Sequence, residues 1–90
     1  PADHPSTLVS EFMVARSVAQ LGRLGEAVAL QRALLPRIEA KMGALSGLRV
    51  DTLNDLASNL QDLGDYTASA STYAEAQVAA EGAGDAMDVA

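Results

Sequence analysis

One register shift organises this chain. Leu21-Gly22 recurs as Leu63-Gly64, an offset of 42 residues from Gly22 to Gly64. The same offset sets Leu8 on Val50, Val14 on Leu56, Ala15 on Ala57, Val18 on Leu60, Leu24 on Tyr66 and Glu39 on Glu81. Gly43 falls opposite Asp85, beside Gly84. A fixed period of this kind means two copies of one supersecondary unit, each burying its apolar face against its neighbours. The 90 residues hold two units and a stub. Residues 1–43 form the first repeat, 44–84 the second, and 85–90 the start of a third spacer or a disordered tail.

Each unit reads as two helices. From Pro5 to Leu21, the apolar positions Leu8, Phe12, Ala15, Val18 and Leu21 step by three or four, the spacing of one helix face. Pro5 suits a first helical position, with Asp3, His4 or Ser6 nearby to cap. From Leu24 to Met42, a broad stripe runs through Ala27, Val28, Leu30, Leu34, Leu35 and Ile38 and closes at Gly43. Pro36 interrupts it and lacks the donor for its i−4 carbonyl, so a kink or break is expected near Leu35. The second unit places one helix over Leu48 to Leu63, with Val50, Leu53, Leu56, Ala57 and Leu60 inward. Asp65 can cap a further helix from Tyr66 to about Glu81, carrying Ser69, Tyr73, Ala76, Ala79 and Ala80. Gly82 onward reads as a turn. Short turns force antiparallel neighbours, so the expected fold is all-α: two stacked helical hairpins.

Composition narrows the function. Aromatics make up 3% of the chain and apolar residues 49%. That composition suits close helix packing and not a β-sandwich. There is no cysteine, so disulfides and thiolate metal sites are excluded. No apolar run approaches the roughly 20 residues of a membrane span. Pro1 to Pro5 has neither the basic nor the apolar region of a leader, which makes a cytoplasmic location the expectation. Absence of Cys alone leaves secretion open. The missing initiator Met fits a chain cut from something longer. Net charge is −6 and uneven. All six basic residues (Arg16, Arg23, Arg32, Arg37, Lys41, Arg49) precede Val50 and share that half with four acids, for +2. The remainder has eight acids and no base, for −8. Nucleic acid and anionic membrane both require clustered Lys and Arg, so neither is an expected partner. A basic partner or a charged neighbouring repeat is compatible.

The residues in this register resemble the tetratricopeptide repeat, in the 42-residue form found in kinesin light chain and in large bacterial repeat proteins. His4-Pro5-Ser6-Thr7-Leu8 matches the opening of that form, and Gly22, Leu24 and Ala27 match its turn and second helix. Phe12-Met13-Val14-Ala15 stands where N-N-L-A would be, so two Asn are lost. The second copy matches at its centre through Asn54-Asp55-Leu56-Ala57, Gly64-Asp65-Tyr66, Tyr73 and Ala76. Its opening departs, with Ser46-Gly47 in place of His-Pro, and Ser69 replaces a small Ala. The resemblance covers nearly the whole chain. It implies an α-solenoid of antiparallel helix pairs, a piece of a larger bacterial repeat protein, with the first helix of each repeat lining a concave groove. Ala15 and Ala57 are then the small residues at close helix contacts, and Leu24 and Tyr66 fill the space beside the turns.

Catalytic chemistry finds no constellation. His4 is the single His and sits where a helix starts, so neither a zinc set nor a triad can be assembled. The carboxylates lack calcium-loop spacing, and Gly22-x-x-Gly25 lacks the Gly-Lys-Ser/Thr of a phosphate loop. No enzyme activity, metal or cofactor is expected.

The groove implied by the resemblance supplies the candidate site. On the third helix, Asp51, Asp55, Ser58 and Asp62 are spaced by four, three and four and share one face with Asn54 and Gln61, opposite Leu53, Leu56 and Leu60. The equivalent first-repeat positions are Val9, Phe12, Met13, Arg16, Ala19 and Gln20. The candidate partner-binding residues are therefore Val9, Phe12, Met13, Arg16, Gln20, Asp51, Asn54, Asp55, Ser58 and Asp62. They read as an apolar step with one cation beside an acidic-amide step. Such a groove would hold a protein segment with an apolar anchor and a Lys or Arg, with Asn54 free to bond its backbone. The alternative reading makes the acids a solvated face and packs Phe12 and Met13 on a preceding repeat. In this family a two-carboxylate clamp for acidic tails uses Lys, Arg and Asn; only Asn54 and Arg16 resemble it, and the acids repel such a tail. The leading expectation is a protein–protein interaction scaffold. The alternatives are a segment that self-associates through its exposed ends, and a regulatory sensor segment of a larger signalling protein, the latter by fold analogy alone.

Overall fold

The local chemistry of each helix start is visible in the computed structural model, which describes residues 3–88. The described residues form four α-helices: α1 (Pro5–Gln20), α2 (Leu24–Met42), α3 (Gly47–Asp62) and α4 (Tyr66–Asp88). The described residues contain no strand, and the fold is all-α. His4 Nδ1 accepts the backbone N–H of Ser6 at 3.2 Å, with Pro5 in the first turn of α1. Ser46 Oγ accepts the N–H of Arg49 at 3.2 Å, and Asp65 Oδ1 accepts that of Ala68 at 3.2 Å. Each satisfies one of the donors that a helix start leaves unpaired. The start of α2 has no such side-chain cap.

The α1–α2 and α3–α4 turns are copies of one another. After α1, Gly22 N–H bonds the Ala19 carbonyl at 2.9 Å and Arg23 N–H bonds the Val18 carbonyl at 3.2 Å. After α3, Gly64 N–H bonds Gln61 at 3.0 Å and Asp65 N–H bonds Leu60 at 2.9 Å. These are paired 5→2 and 6→1 bonds, which need a left-handed residue after the helix. Gly22 (φ 86°) and Gly64 (φ 88°) supply it. The 42-residue register of the sequence is thus a register of backbone hydrogen bonds.

The core forms where the small residues allow close approach. Ala15, Ala27 and Ala57 are fully buried. Leu8, Phe12, Leu34 and Ile38 make one apolar cluster with Leu48 packed against it. Val28, Leu56 and Leu60 make a second, flanked by Leu35 and Ala68. Fully burying a Leu or Ile side chain contributes about 1.5–3 kcal/mol, and Leu8, Ile38 and Leu53 are the large apolar side chains sealed most completely. The backbone of α1 approaches α2, α2 approaches α3, and α3 approaches α4; α1 also touches α3. Among the described residues α4 approaches neither α1 nor α2.

Several expectations are corrected. Pro36 does not break α2, which continues from Leu24 to Met42 with Pro36 inside it. Leu21 is 74% exposed because it sits on the turn itself, outside both flanking helices. Tyr66 is 69% exposed and fills no space beside its turn. Its register partner Leu24 borders α3, whereas no described helix follows α4. Leu30, Met42 and Tyr73 are likewise exposed, as is Ala80. The expected turn at Gly82 is absent, since α4 runs through it to Asp88. A Cβ on Gly82 would lie 2.8 Å from Leu45 Cδ2. The glycine is a notch for a side chain from the α2–α3 turn, not a stop. Of the expected spacers, Pro1, Ala2, Val89 and Ala90 lie outside the described residues.

Candidate functional site

Helix α1 and helix α3 are brought side by side because α2 packs between them along its apolar stripe, and their polar edges meet over a groove of about 200 Å³. From α1 come Arg16, Ala19 and Gln20; from α2, Leu24 and Gln31; from α3, Asp55, Ser58, Asn59 and Asp62. Five of the ten sequence-selected residues therefore converge: Arg16, Gln20, Asp55, Ser58 and Asp62. Val9, Met13, Asp51 and Asn54 are exposed but do not line this groove. Phe12 belongs to the core, 6% exposed among Leu8, Leu34 and Ile38.

The centre of the groove rim is an ion pair between the two repeats. Arg16 Nε donates to Asp55 Oδ2 at 2.9 Å and its Nη2 donates to Asp55 Oδ1 at 3.2 Å. The fork geometry matches a carboxylate with two parallel bonds. The Arg16 guanidinium carbon also lies 4.6 Å from the centroid of the Phe12 ring, within range of cation–π attraction. Phe12 thus contributes only a ring face beneath Arg16. The hydrogen bonds that Arg16 donates to Asp55, followed by the charge of that carboxylate, raise the Arg16 pKa above the ordinary arginine value. The expected division into an apolar step and an acidic step is corrected here: the one cation of α1 is bound to an acid of α3, in a single groove. That leaves Asp62 as the lining carboxylate without an ion-pair partner among the described residues.

The groove floor was not selected from the sequence. Asn59 Nδ2 donates to Gln31 Oε1 at 3.1 Å, and both side chains are buried. A signal existed. Gln31 interrupts the α2 stripe between Val28 and Leu34, and Asn59 sits between Leu56 and Leu60. A polar residue at a core-facing position requires a partner, and two on facing stripes can supply each other.

Away from the groove, two further cations tie the helices. Arg37 on α2 donates to Asp3 at 2.9 Å and to both oxygens of Glu11, at 3.0 and 2.6 Å. The hydrogen bond from Arg37 holds the Glu11 carboxyl below its ordinary value, and the same contacts raise Arg37. Arg49 on α3 lies 3.6 Å from both Glu39 and Glu75 and donates to the Ala44 carbonyl at 3.2 Å. It sits under a more apolar groove of about 440 Å³ between the α2–α3 turn and α4, bordered by Leu45, Ala74, Val78 and Ala79. Among the described residues no three His, Cys, Asp or Glu side chains gather where they could hold a metal ion, and no helix is long and apolar enough to cross a membrane. Compared with models of known protein families, with curated proteins and with solved structures, the chain matches none.

Proposed function

We propose that the chain is a protein-interaction scaffold that holds a segment of a partner protein in the groove between α1 and α3. The observation that carries this reading is the convergence of donors, acceptors and one unpaired carboxylate from three helices on one open groove. Arg16 and Asp55 neutralise each other, so Asp62 sets the local charge and favours a segment bearing Lys or Arg. Leu24 and Ala19 add an apolar flank for a neighbouring aliphatic side chain. The repeated turn geometry and the helix-by-helix packing support a tetratricopeptide-like solenoid as the frame, in which such a groove would be the concave face.

The test is selection of peptides from a random displayed library on the whole chain, followed by NMR titration of the enriched sequences. The expected result is enrichment of basic peptides that shift the amides of Gln20, Ser58 and Asp62. Enriched peptides that shift only residues outside the groove, or no enrichment at all, would overturn the reading.

A further inference from the structure

The hydrogen bond between Gln31 and Asn59 uses only part of what these two side chains offer. Each carboxamide carries two N–H donors and one carbonyl. The single 3.1 Å bond from Asn59 Nδ2 to Gln31 Oε1 leaves Gln31 Nε2 and Asn59 Oδ1 without a partner among the described residues. Reversing both amides leaves the same inventory, one free amino group and one free carbonyl. The pair is nonetheless almost out of water, Gln31 at 1% exposed and Asn59 at 7%. Buried carboxamides are normally fully partnered. Neither spare atom is sealed in the core: among the described residues the one fully buried side-chain atom without a hydrogen bond is Arg49 Nε, which is ion-paired with Glu39. The spare donor and acceptor therefore keep some exposure, and both residues line the groove.

We propose that Gln31 and Asn59 form a seat for an amide group of the bound segment. This rests on the scaffold reading above. An amide presents a carbonyl and an N–H in one plane, so it can accept from Gln31 Nε2 while donating to Asn59 Oδ1. A carboxylate offers acceptors alone and would face both Asn59 Oδ1 and the unpaired Asp62. An ammonium offers donors alone and leaves Gln31 Nε2 unsatisfied. The amide can be the side chain of an Asn or Gln or a peptide group of the backbone. Fold stability alone does not call for this pair, since matched apolar side chains at both positions would be neutral or better.

The probe is the capped peptide Ac-Lys-Gly-Asn-Gly-Lys-NH2, titrated into the whole chain and followed through the side-chain NH2 resonances of Gln31 and Asn59. These resonances are expected to move together with the backbone amides of Gln20 and Asp62. The double variant Gln31→Met with Asn59→Leu should weaken binding by about tenfold, the loss of one or two hydrogen bonds. If the peptide's Asn supplies the amide, replacing it with Asp abolishes the movement; if the backbone does, N-methylation of the peptide's central amides abolishes it. Movement of Gln20 and Asp62 with the two side chains unmoved overturns the seat and leaves the scaffold standing. Undiminished binding by a folded double variant does the same. Absence of movement at every groove residue, with library-selected peptides as well, overturns both. The resonances of the unmutated chain decide the matter even if the double variant fails to fold.

Discussion

The hydroxyl of Ser69 on α4 donates a 2.8 Å hydrogen bond to the backbone carbonyl of Ala57 on α3. Both residues are buried, at 4% and 0% exposure, and the bond ties the two helices of the second hairpin. Ala15 and Ala27 hold the equivalent places in the first. The contact has no room for a larger side chain at position 57. Ala57→Leu should lower stability by about 1–3 kcal/mol through overpacking. Ser69→Ala should cost less, about 0.5–1 kcal/mol, because the Ala57 carbonyl keeps its helical bond. Urea denaturation of both variants measures the difference, and a neutral Ala57→Leu would refute the packing argument.

The Arg16–Asp55 pair has good geometry but stands in solvent, with side-chain exposures of 46% and 25%. Exposed pairs are screened and pay side-chain entropy, so their coupling is about 0.2–1 kcal/mol. A double-mutant cycle with Arg16→Ala and Asp55→Ala, read by thermal unfolding, should fall in that range and shrink with added salt. A coupling several times larger would mean that the pair is shielded more than its exposure indicates.

Pro36 lies in the thirteenth position of the 19-residue α2 and is exposed. The ring removes a backbone donor, so the Arg32 carbonyl lacks its helical partner. Pro36→Ala removes no core contact and restores the bond, against a small gain in unfolded-chain freedom. Stability should rise by about 1–3 kcal/mol. A melting temperature unchanged or lowered in this variant would show that α2 is shaped around the proline.

Acid should loosen the link between α1 and α2. Arg37 holds the Glu11 carboxyl below its ordinary value of 4.5, chiefly by hydrogen bonding. Below 4.5 the unfolded chain then binds a proton that the folded chain resists, so folding loses stability as pH falls. The contribution is full above that value and is lost as pH passes down through the folded value. Glu11→Gln should therefore be less stable than the parent at neutral pH, and the gap should narrow as pH falls below 4.5. A gap that stays constant in urea titrations across this range would exclude the linkage.

The starts of α1 and α4 and the turns after α1 and α3 were readable because they rest on local chemistry: a left-handed glycine after α1 and α3, an imidazole acceptor before α1 and a carboxylate before α4. Burial at the repeat ends was not. Leu24 and Tyr66 share a register position, yet Leu24 lines the groove beside residues of α3 and Tyr66 is 69% exposed. Periodicity assigns a face, and only the next element decides whether that face is covered. Gly82 misled for a different reason, since a glycine that admits a neighbour's side chain looks in sequence like one that ends a helix. The groove's rim followed from the face of α3. Its floor did not, because Gln31 and Asn59 each look like an isolated defect in an apolar stripe until the two helices are placed together.

The order in which the helices touch has a consequence for how the molecule comes apart. Nearly every backbone approach joins elements adjacent along the chain, and among the described residues α4 approaches α3 alone. Contacts of short sequence separation form quickly, since little chain entropy is lost in closing them. The same arrangement gives α4 a cheaper route to opening than the middle of the array. It can peel from α3 like the last link of a zipper while α1, α2 and α3 keep their mutual contacts. Because every groove residue belongs to those three helices, fraying at that end leaves the groove assembled.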